Sequence, residues 1–148
     1  MVYHMSTIRH SKEGIMALAL RQGPELTITE IIEKIENGVP TAVFNAIKDA
    51  LELSDKELAQ TIRIPRSTLA LRKRRGRFSY EESERLYRLQ RLIEKAVQVF
   101  GDIETARIWL KNRAYGLGDR SPLAFCRTEI GAREVENLLG RIEYGVFS

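Results

Sequence analysis

Apolar residues recur at intervals of three and four along most of the chain, which is the period of an amphipathic α-helix. Stretches with this spacing span residues 28–35, 43–51, 58–62, 86–100, 106–110 and 135–142. No segment alternates between apolar and polar residues with a period of two, the pattern typical of a half-buried strand. No segment repeats another. The pattern therefore predicts an all-α fold.

Capping signals mark where several of these helices begin. Asp102 is a candidate N-cap, and Pro65 precedes a predicted helix from Arg66 to Arg75 that Gly76 ends. Three further pairs have the spacing of a capping box, in which two backbone donors are satisfied reciprocally. These pairs are Thr27 with Glu30, Ser54 with Glu57, and Ser79 with Glu82.

The last third of the chain has weaker helix signals. A loop rich in Gly, Asp, Ser and Pro spans residues 116–122, and a helical turn is predicted over residues 123–126. A final helix is predicted from about Ala132 to Glu143, with Gly145 as its stop.

Length and composition are those of a small globular protein. The chain has 148 residues, 43% of them apolar and 30% charged, which fits one domain or two very small ones and is too apolar for disorder. The longest apolar run, residues 14–20, is far shorter than the roughly 20 residues that span a bilayer. It also fails as a signal peptide. We expect a cytoplasmic protein without membrane contact, in which the single cysteine, Cys126, forms neither an intrachain disulfide nor a metal site.

Three segments follow from these signals. Residues 1–26 have no clean period and contain both histidines, His4 and His10, so we predict a flexible leader. Residues 27–78 are predicted to form a first helical domain. Residues 79–148 are predicted to form a helical C-terminal domain.

Positive charge is concentrated in one segment. Residues 63–91 carry ten Lys or Arg against three Asp or Glu, whereas residues 1–62 carry six against nine and residues 92–148 carry eight against eight. The plain alternative is a solvated surface helix. A local excess of this size indicates a polyanionic partner.

The same region has the pattern of a helix-turn-helix. Ala59 provides the small residue that a close helix crossing requires, and Leu58, Ile64 and Leu69 provide apolar residues on both sides of the turn. The turn is predicted over residues 61–64. Arg63 stands where glycine is common, so we expect either a left-handed Arg63 or a looser turn.

Residues 27–78 are therefore predicted to be a helix-turn-helix DNA-binding domain, and the helix after the turn supplies its candidate DNA-binding residues. Its first turn offers groups that can reach bases or phosphates, namely Arg66, Ser67 and Thr68. A run of cations that should mostly bind phosphate follows, namely Arg72, Lys73, Arg74, Arg75 and Arg77. Helix-turn-helix proteins usually pair, and the apolar stripe of residues 86–100 fits either a homodimer seam or simple core packing.

Signals of catalysis are missing from the sequence. Cys126 has no histidine near it in sequence, and the glycines at Gly116 and Gly118 lack the strand–helix setting of a nucleotide loop. The paired acids Glu81 and Glu82 fall at a helix start, where they stabilise the helix dipole. We therefore expect no enzyme and no cofactor.

The order of motifs in the second half resembles a known family. The segments SYEESERLYRLQRL, FGDIETARIWLKNRAYGLGDRSPLAF, IGAREVENLLGRIE and YGV follow the helix-turn-helix. This order closely resembles the Xre/MbcA/ParS antitoxins, whose partner toxins carry a RES domain. The resemblance covers about residues 28–148. The chain departs from the family at Lys111-Asn112-Arg113, where a Pro-Asn pair is frequent, and at Asp119, where a second glycine is common.

The resemblance implies two activities. The helix-turn-helix would bind and repress the promoter of its own operon, and the C-terminal domain would bind a RES-domain toxin and block its pocket. RES toxins resemble ADP-ribosyl-transferring enzymes and act on NAD. The resemblance thus implies an inhibitor without NAD chemistry of its own. Two alternatives remain: a stand-alone repressor whose C-terminal half only dimerises, and an enzyme or ligand-sensing regulator.

The loop at residues 116–122 and the chain end are where a helical body can project into a cleft. With the resemblance, they give the expected toxin-binding residues, namely Tyr115, Arg120, Arg141, Glu143, Tyr144, Gly145, Val146, Phe147 and Ser148. The apolar end at Val146 and Phe147 can fold back, pair with a second copy or enter a partner, and the resemblance favours entry. The alternatives are a solvated helix end for Arg141 and Glu143 and ordinary loop chemistry for Tyr115 and Arg120.

Overall fold

The computed structural model describes residues 26–145, and this part of the chain forms eight helices. In chain order they are α1 (Ile28–Glu36), α2 (Thr41–Leu51), α3 (Asp55–Thr61), α4 (Arg66–Arg75), α5 (Tyr80–Phe100), α6 (Ile103–Lys111), α7 (Pro122–Phe125) and α8 (Glu129–Glu143). No strand occurs between residues 26 and 145, so the all-α prediction is confirmed. Almost all of the predicted leader and the last three residues lie outside the described range.

The predicted capping signals all form. In the box that opens α5, the Ser79 amide donates to Glu82 Oε1 at 2.9 Å and the Glu82 amide donates to Ser79 Oγ at 3.3 Å. The boxes at Thr27 and Ser54 are complete in the same way. Asp102 accepts the Thr105 amide at 2.7 Å and begins α6. Side-chain caps of this kind satisfy backbone donors that a helix leaves unpaired.

The start of the last helix differs from the prediction. Helix α8 begins at Glu129 rather than near Ala132, because Thr128 caps it through a 3.0 Å hydrogen bond from the Gly131 amide. A Cβ atom on Gly131 would lie 1.9 Å from the carbonyl oxygen of Phe125. The glycine is therefore inside the first turn, where it lets the helix approach the preceding α7.

The chain divides into two compact units, and the boundary between Gln90 and Arg91 lies inside α5. In the first unit, the Val39 amide donates to the buried Ser83 Oγ at 2.9 Å, and the rings of Phe44 and Phe78 stack at 5.7 Å. These contacts tie α2 and the start of α5 together. The functional division that we place at residues 78 and 79 stays a prediction.

The second unit packs around the C-terminal half of α5. Ile93, Leu110 and Leu139 are fully buried, and the rings of Phe100 and Trp109 lie 5.3 Å apart. The apolar stripe of α5 is buried within the chain up to Val97, so it serves core packing rather than a dimer seam. No helix in the described range is long and apolar enough to cross a bilayer.

Candidate nucleic-acid and partner interfaces

Helices α3 and α4 and the turn between them form the predicted helix-turn-helix. Ala59 is buried at the small site, and Leu58, Ile64 and Leu69 are all buried as predicted. The Ile64 amide donates to the Ala59 carbonyl at 2.9 Å, which closes the turn. The apolar residues on both sides of the turn therefore fix α4 against α3.

Arg63 gives the turn its shape. Its φ angle is 57°, in the left-handed region, so the expectation of a left-handed Arg63 is confirmed and the looser turn is wrong. The conformation costs an L-residue about 1–2 kcal/mol. The Arg85 guanidinium on α5 lies 3.4 Å from the carbonyl oxygens of both Ile62 and Arg63, where it can donate to this end of α3.

Helix α4 carries five Lys or Arg and no acidic residue. Leu69 points into the core, and Ser67 and Arg74, seven residues apart, lie roughly opposite it and are exposed. Arg66 and Arg75 are also exposed, whereas Thr68 is half-buried. The exposed groups are those that can reach a nucleic acid.

Arg72 is half-buried and is held against the first turn of α5. Its Nε donates to Glu82 Oε1 at 2.7 Å and its Nη2 donates to Glu82 Oε2 at 3.3 Å. Burial acts to raise the pKa of Glu82, but the hydrogen bonds from Arg72 and Ser79 outweigh it and hold this pKa below the usual value. The hydrogen bond to Glu82 also raises the pKa of Arg72. Both groups therefore remain charged and paired.

Two other predicted phosphate ligands also make contacts within the chain. Lys73 pairs with Asp55, and its hydrogen bond is the largest cause of the lowered pKa of that carboxylate. Arg77 Nη1 donates to the carbonyl oxygens of Asn37 at 3.2 Å and Gly38 at 2.7 Å. Lys73 is on the surface, so its ion pair with Asp55 can break at little energetic cost. Arg77, by contrast, links the chain before α5 to the end of α1.

A groove of about 390 Å³ lies between α3 and α4. Lys56, Arg66 and Lys73 contribute cations to it, and Ala59 and Ala70 are among the small residues of its lining. Because Arg66 and Lys73 line this groove, they lie on the α3 side of α4 rather than directly opposite Leu69.

The candidate partner residues of the second unit belong to a loop and a helix end. In the loop, Ala114 and Leu117 are buried anchors, and Tyr115 between them is 94% exposed. The Arg120 amide donates to the Leu117 carbonyl at 3.4 Å, while the Arg120 side chain is exposed. The loop thus holds its backbone in place and presents Tyr115 and Arg120 to solvent.

The end of α8 presents the second group. Arg141 is half-buried, Glu143 is exposed and Tyr144 is 78% exposed. Gly145 has a φ of 70°, which agrees with its role as a helix stop. The predicted contacts at Val146, Phe147 and Ser148 lie outside the described residues.

Two exposed isoleucines of the second unit were missed by the sequence pattern. Ile108 on α6 is 63% exposed and Ile130 in the first turn of α8 is 78% exposed. Both lie off the apolar stripes that define their helices. An isoleucine outside such a stripe was the signal that could have identified them from the sequence. Exposed isoleucines in a small unit are candidate contact points for a partner.

The described part of the chain contains no cluster of candidate metal ligands. Cys126 is buried, and between residues 26 and 145 no three His, Cys, Asp or Glu side chains are placed to share a metal ion. Both histidines lie outside this range.

Comparisons with known proteins assign each unit to a family domain. Residues 30–91 match the antitoxin Xre-like helix-turn-helix domain, and residues 95–145 match the antitoxin Xre/MbcA/ParS C-terminal toxin-binding domain. A protein named Antitoxin Xre from Yersinia enterocolitica serotype O:8 is 38% identical over 122 residues, covering 81% of this chain and 82% of the relative. Another Antitoxin Xre, from Photorhabdus laumondii, is 43% identical over 75 residues, about half of each chain.

Proposed function

Since this chain belongs to the Xre family of antitoxins, we propose that it neutralises a RES-domain, NAD-consuming toxin and represses its own operon. The family is one of non-enzymatic antitoxins, which agrees with the expectation that the chain is not an enzyme. The observation that carries the proposal is the presence, on one chain, of a helix-turn-helix domain and a toxin-binding domain.

In the proposed DNA complex, α4 enters the major groove of the operator. Arg66 and Ser67 in its first turn reach base edges, and Arg74 and Arg75 bind phosphates. Displacement of counterions by these cations makes the affinity depend strongly on salt. We propose that a homodimer binds two half-sites, the usual arrangement for this motif.

In the proposed toxin complex, the loop around Tyr115 and the chain end from Arg141 onward occupy the toxin's active-site cleft. Tyr144 is exposed, so its ring is accessible to such a partner. Burial of Val146 and Phe147 contributes about 1.5–3 kcal/mol each before the cost of ordering the tail. Arg141 and Glu143 would meet polar groups that otherwise bind NAD.

Coexpression with the neighbouring gene product tests the toxin proposal. The full chain should copurify with a RES-domain protein and suppress its consumption of NAD. Removal of residues 145–148 should weaken neutralisation at least tenfold, a change of about 1.4 kcal/mol. Operator binding by the truncated chain is the control, and it should change less than twofold.

Two results would argue against parts of this proposal. A RES-domain neighbour that stays free beside the folded chain contradicts the partner assignment. In that case operator binding alone would support the stand-alone repressor. A truncated chain that unfolds places the tail in the core instead of the toxin.

A further inference from the structure

The pair formed by Arg72 and Glu82 joins the candidate recognition helix α4 to the first turn of α5. The guanidinium engages both carboxylate oxygens, in the two-point geometry that fixes orientation as well as distance. Glu82 is 6% exposed and also accepts the Ser79 amide, so its position is fixed by the start of α5. A charge pair held in this way resists rotation of α4 about its own axis.

A second contact from α5 reaches the turn that precedes α4. Arg85 follows Glu82 by three residues, so both side chains leave the same side of α5. Its guanidinium approaches the carbonyls of Ile62 and Arg63, just before α4 begins. Helix α5 therefore contacts the turn before α4 through Arg85 and the C-terminal part of α4 through Glu82.

We propose that the first two turns of α5 position the recognition helix for DNA, and that Arg72 is a positioning residue rather than a phosphate ligand. This inference rests on the proposed DNA-binding function. It separates Arg72 from the two cations that follow Lys73 in α4. Arg74 and Arg75 face solvent and contact DNA, whereas Arg72 points inward and sets the angle at which the others are presented.

The alternative, in which Arg72 binds phosphate, predicts an effect of opposite sign. If charge alone matters, replacing Glu82 by a neutral residue removes a negative charge near DNA and releases Arg72 for a phosphate, so binding tightens. If Glu82 positions α4, the same replacement weakens binding. The sign of the change thus separates the two interpretations.

Glu82→Gln in the full chain is the central variant. Glutamine keeps an oxygen that accepts the Ser79 amide, so the capping box survives while the ion pair is lost. Glu81→Gln is the matched control, because Glu81 is the exposed neighbour in the same turn and loses the same charge. The probe is a duplex that contains the promoter region upstream of the chain's own gene, titrated at several salt concentrations.

We expect Glu82→Gln to weaken binding about tenfold, the effect of losing one strong charge-assisted contact. Glu81→Gln should bind as tightly as the parent chain or slightly more tightly. Arg72→Ala should weaken binding without a change in the slope of log affinity against log salt. Arg74→Ala should make that slope shallower by about 1, because one phosphate contact is lost.

Unfolding is separated from mispositioning by circular dichroism, with all titrations made below the melting transition of each variant. Amide hydrogen exchange of α4 gives a second measurement that needs no DNA. Exchange within α4 should be about tenfold faster in Glu82→Gln and unchanged in Glu81→Gln.

The possible results have distinct meanings. Binding by Glu82→Gln that equals or exceeds that of Glu81→Gln overturns the inference, as does a shallower salt slope for Arg72→Ala. A parent chain that binds no promoter DNA defeats the proposed function instead. Hydrogen exchange then tests whether Glu82 positions α4. Equal protection of the α4 amides in Glu82→Gln and Glu81→Gln would refute that role.

Discussion

Arg63 adopts a backbone conformation that L-residues rarely take, and the helix-turn-helix depends on it. Its φ of 57° lets the chain reverse between α3 and α4 while the Ile64 amide still reaches the Ala59 carbonyl. The Arg63 side chain is exposed. The residue is therefore retained at a local energetic cost that the buried contacts around it offset.

Glycine adopts this conformation without the steric cost, so Arg63→Gly should stabilise the first unit. Relief of the backbone strain is partly offset by the entropy that glycine adds to the unfolded chain. We therefore expect the free energy of unfolding, measured by urea denaturation, to rise by about 0.5–1 kcal/mol. Ala70→Gly, at an exposed site inside α4, is the control and should lower it by about 1 kcal/mol. A loss of similar size in both variants would mean that Arg63 is not strained.

At the scale of the helices, local signals predicted most boundaries because caps act over three or four residues. The boxes at Ser54 and Ser79 were found from spacing alone, and the structure confirms both. The start of α8 was missed because the prediction overlooked the Thr128 cap and began the helix after Gly131. Its real role, close approach to Phe125, depends on packing that no local pattern reveals.

Two glycines of α8 provide a direct test of that packing. Gly131→Ala would place a methyl group against the Phe125 carbonyl, and we expect a loss of about 2–3 kcal/mol in the unfolding free energy of the second unit. Gly140→Ala, on the same helix with open space around it, should instead stabilise by about 0.5–1 kcal/mol. Thermal unfolding of both variants should shift in opposite directions, and a shift in the same direction counts against the contact.

The candidate DNA site was only partly predictable for a related reason. Composition located the basic helix, and the turn pattern placed Arg66, Ser67 and Thr68 in its first turn. Nothing local indicated that Arg72 pairs with Glu82 or that Arg77 reaches the carbonyls of Asn37 and Gly38. Those partners lie 10 to 40 residues away in sequence, beyond the reach of a helical pattern.

At the scale of the whole molecule, the two candidate interfaces belong to different compact units. The candidate DNA residues lie within residues 30–91, and Tyr115, Arg120 and Tyr144 lie within residues 95–145. Positive charge is concentrated in the first of these regions, since residues 63–91 carry ten Lys or Arg against three Asp or Glu, whereas residues 92–148 carry eight against eight. In the proposed function, attraction to DNA and recognition of the toxin therefore involve residues of different units.

Substitutions on the two surfaces should have separable effects. Arg74→Ala with Arg75→Ala should weaken binding to every duplex by at least tenfold and leave toxin neutralisation within twofold. Tyr144→Ala should do the reverse, because an exposed aromatic residue commonly anchors a protein interface. Gel-shift titration and an NAD-consumption assay on the same preparations measure both effects, and loss of both activities in either variant would contradict the separation.

Helix α5 has a consequence for how such proteins recombine. A chain with two compact units could exchange one unit for that of a relative. Here, however, the boundary between Gln90 and Arg91 falls within an unbroken helix of 21 residues. A crossover there must keep the number of residues in the helix, because one extra residue rotates every following side chain by about 100° around the helix axis. Productive chimeras should therefore be those that keep the length of α5 unchanged.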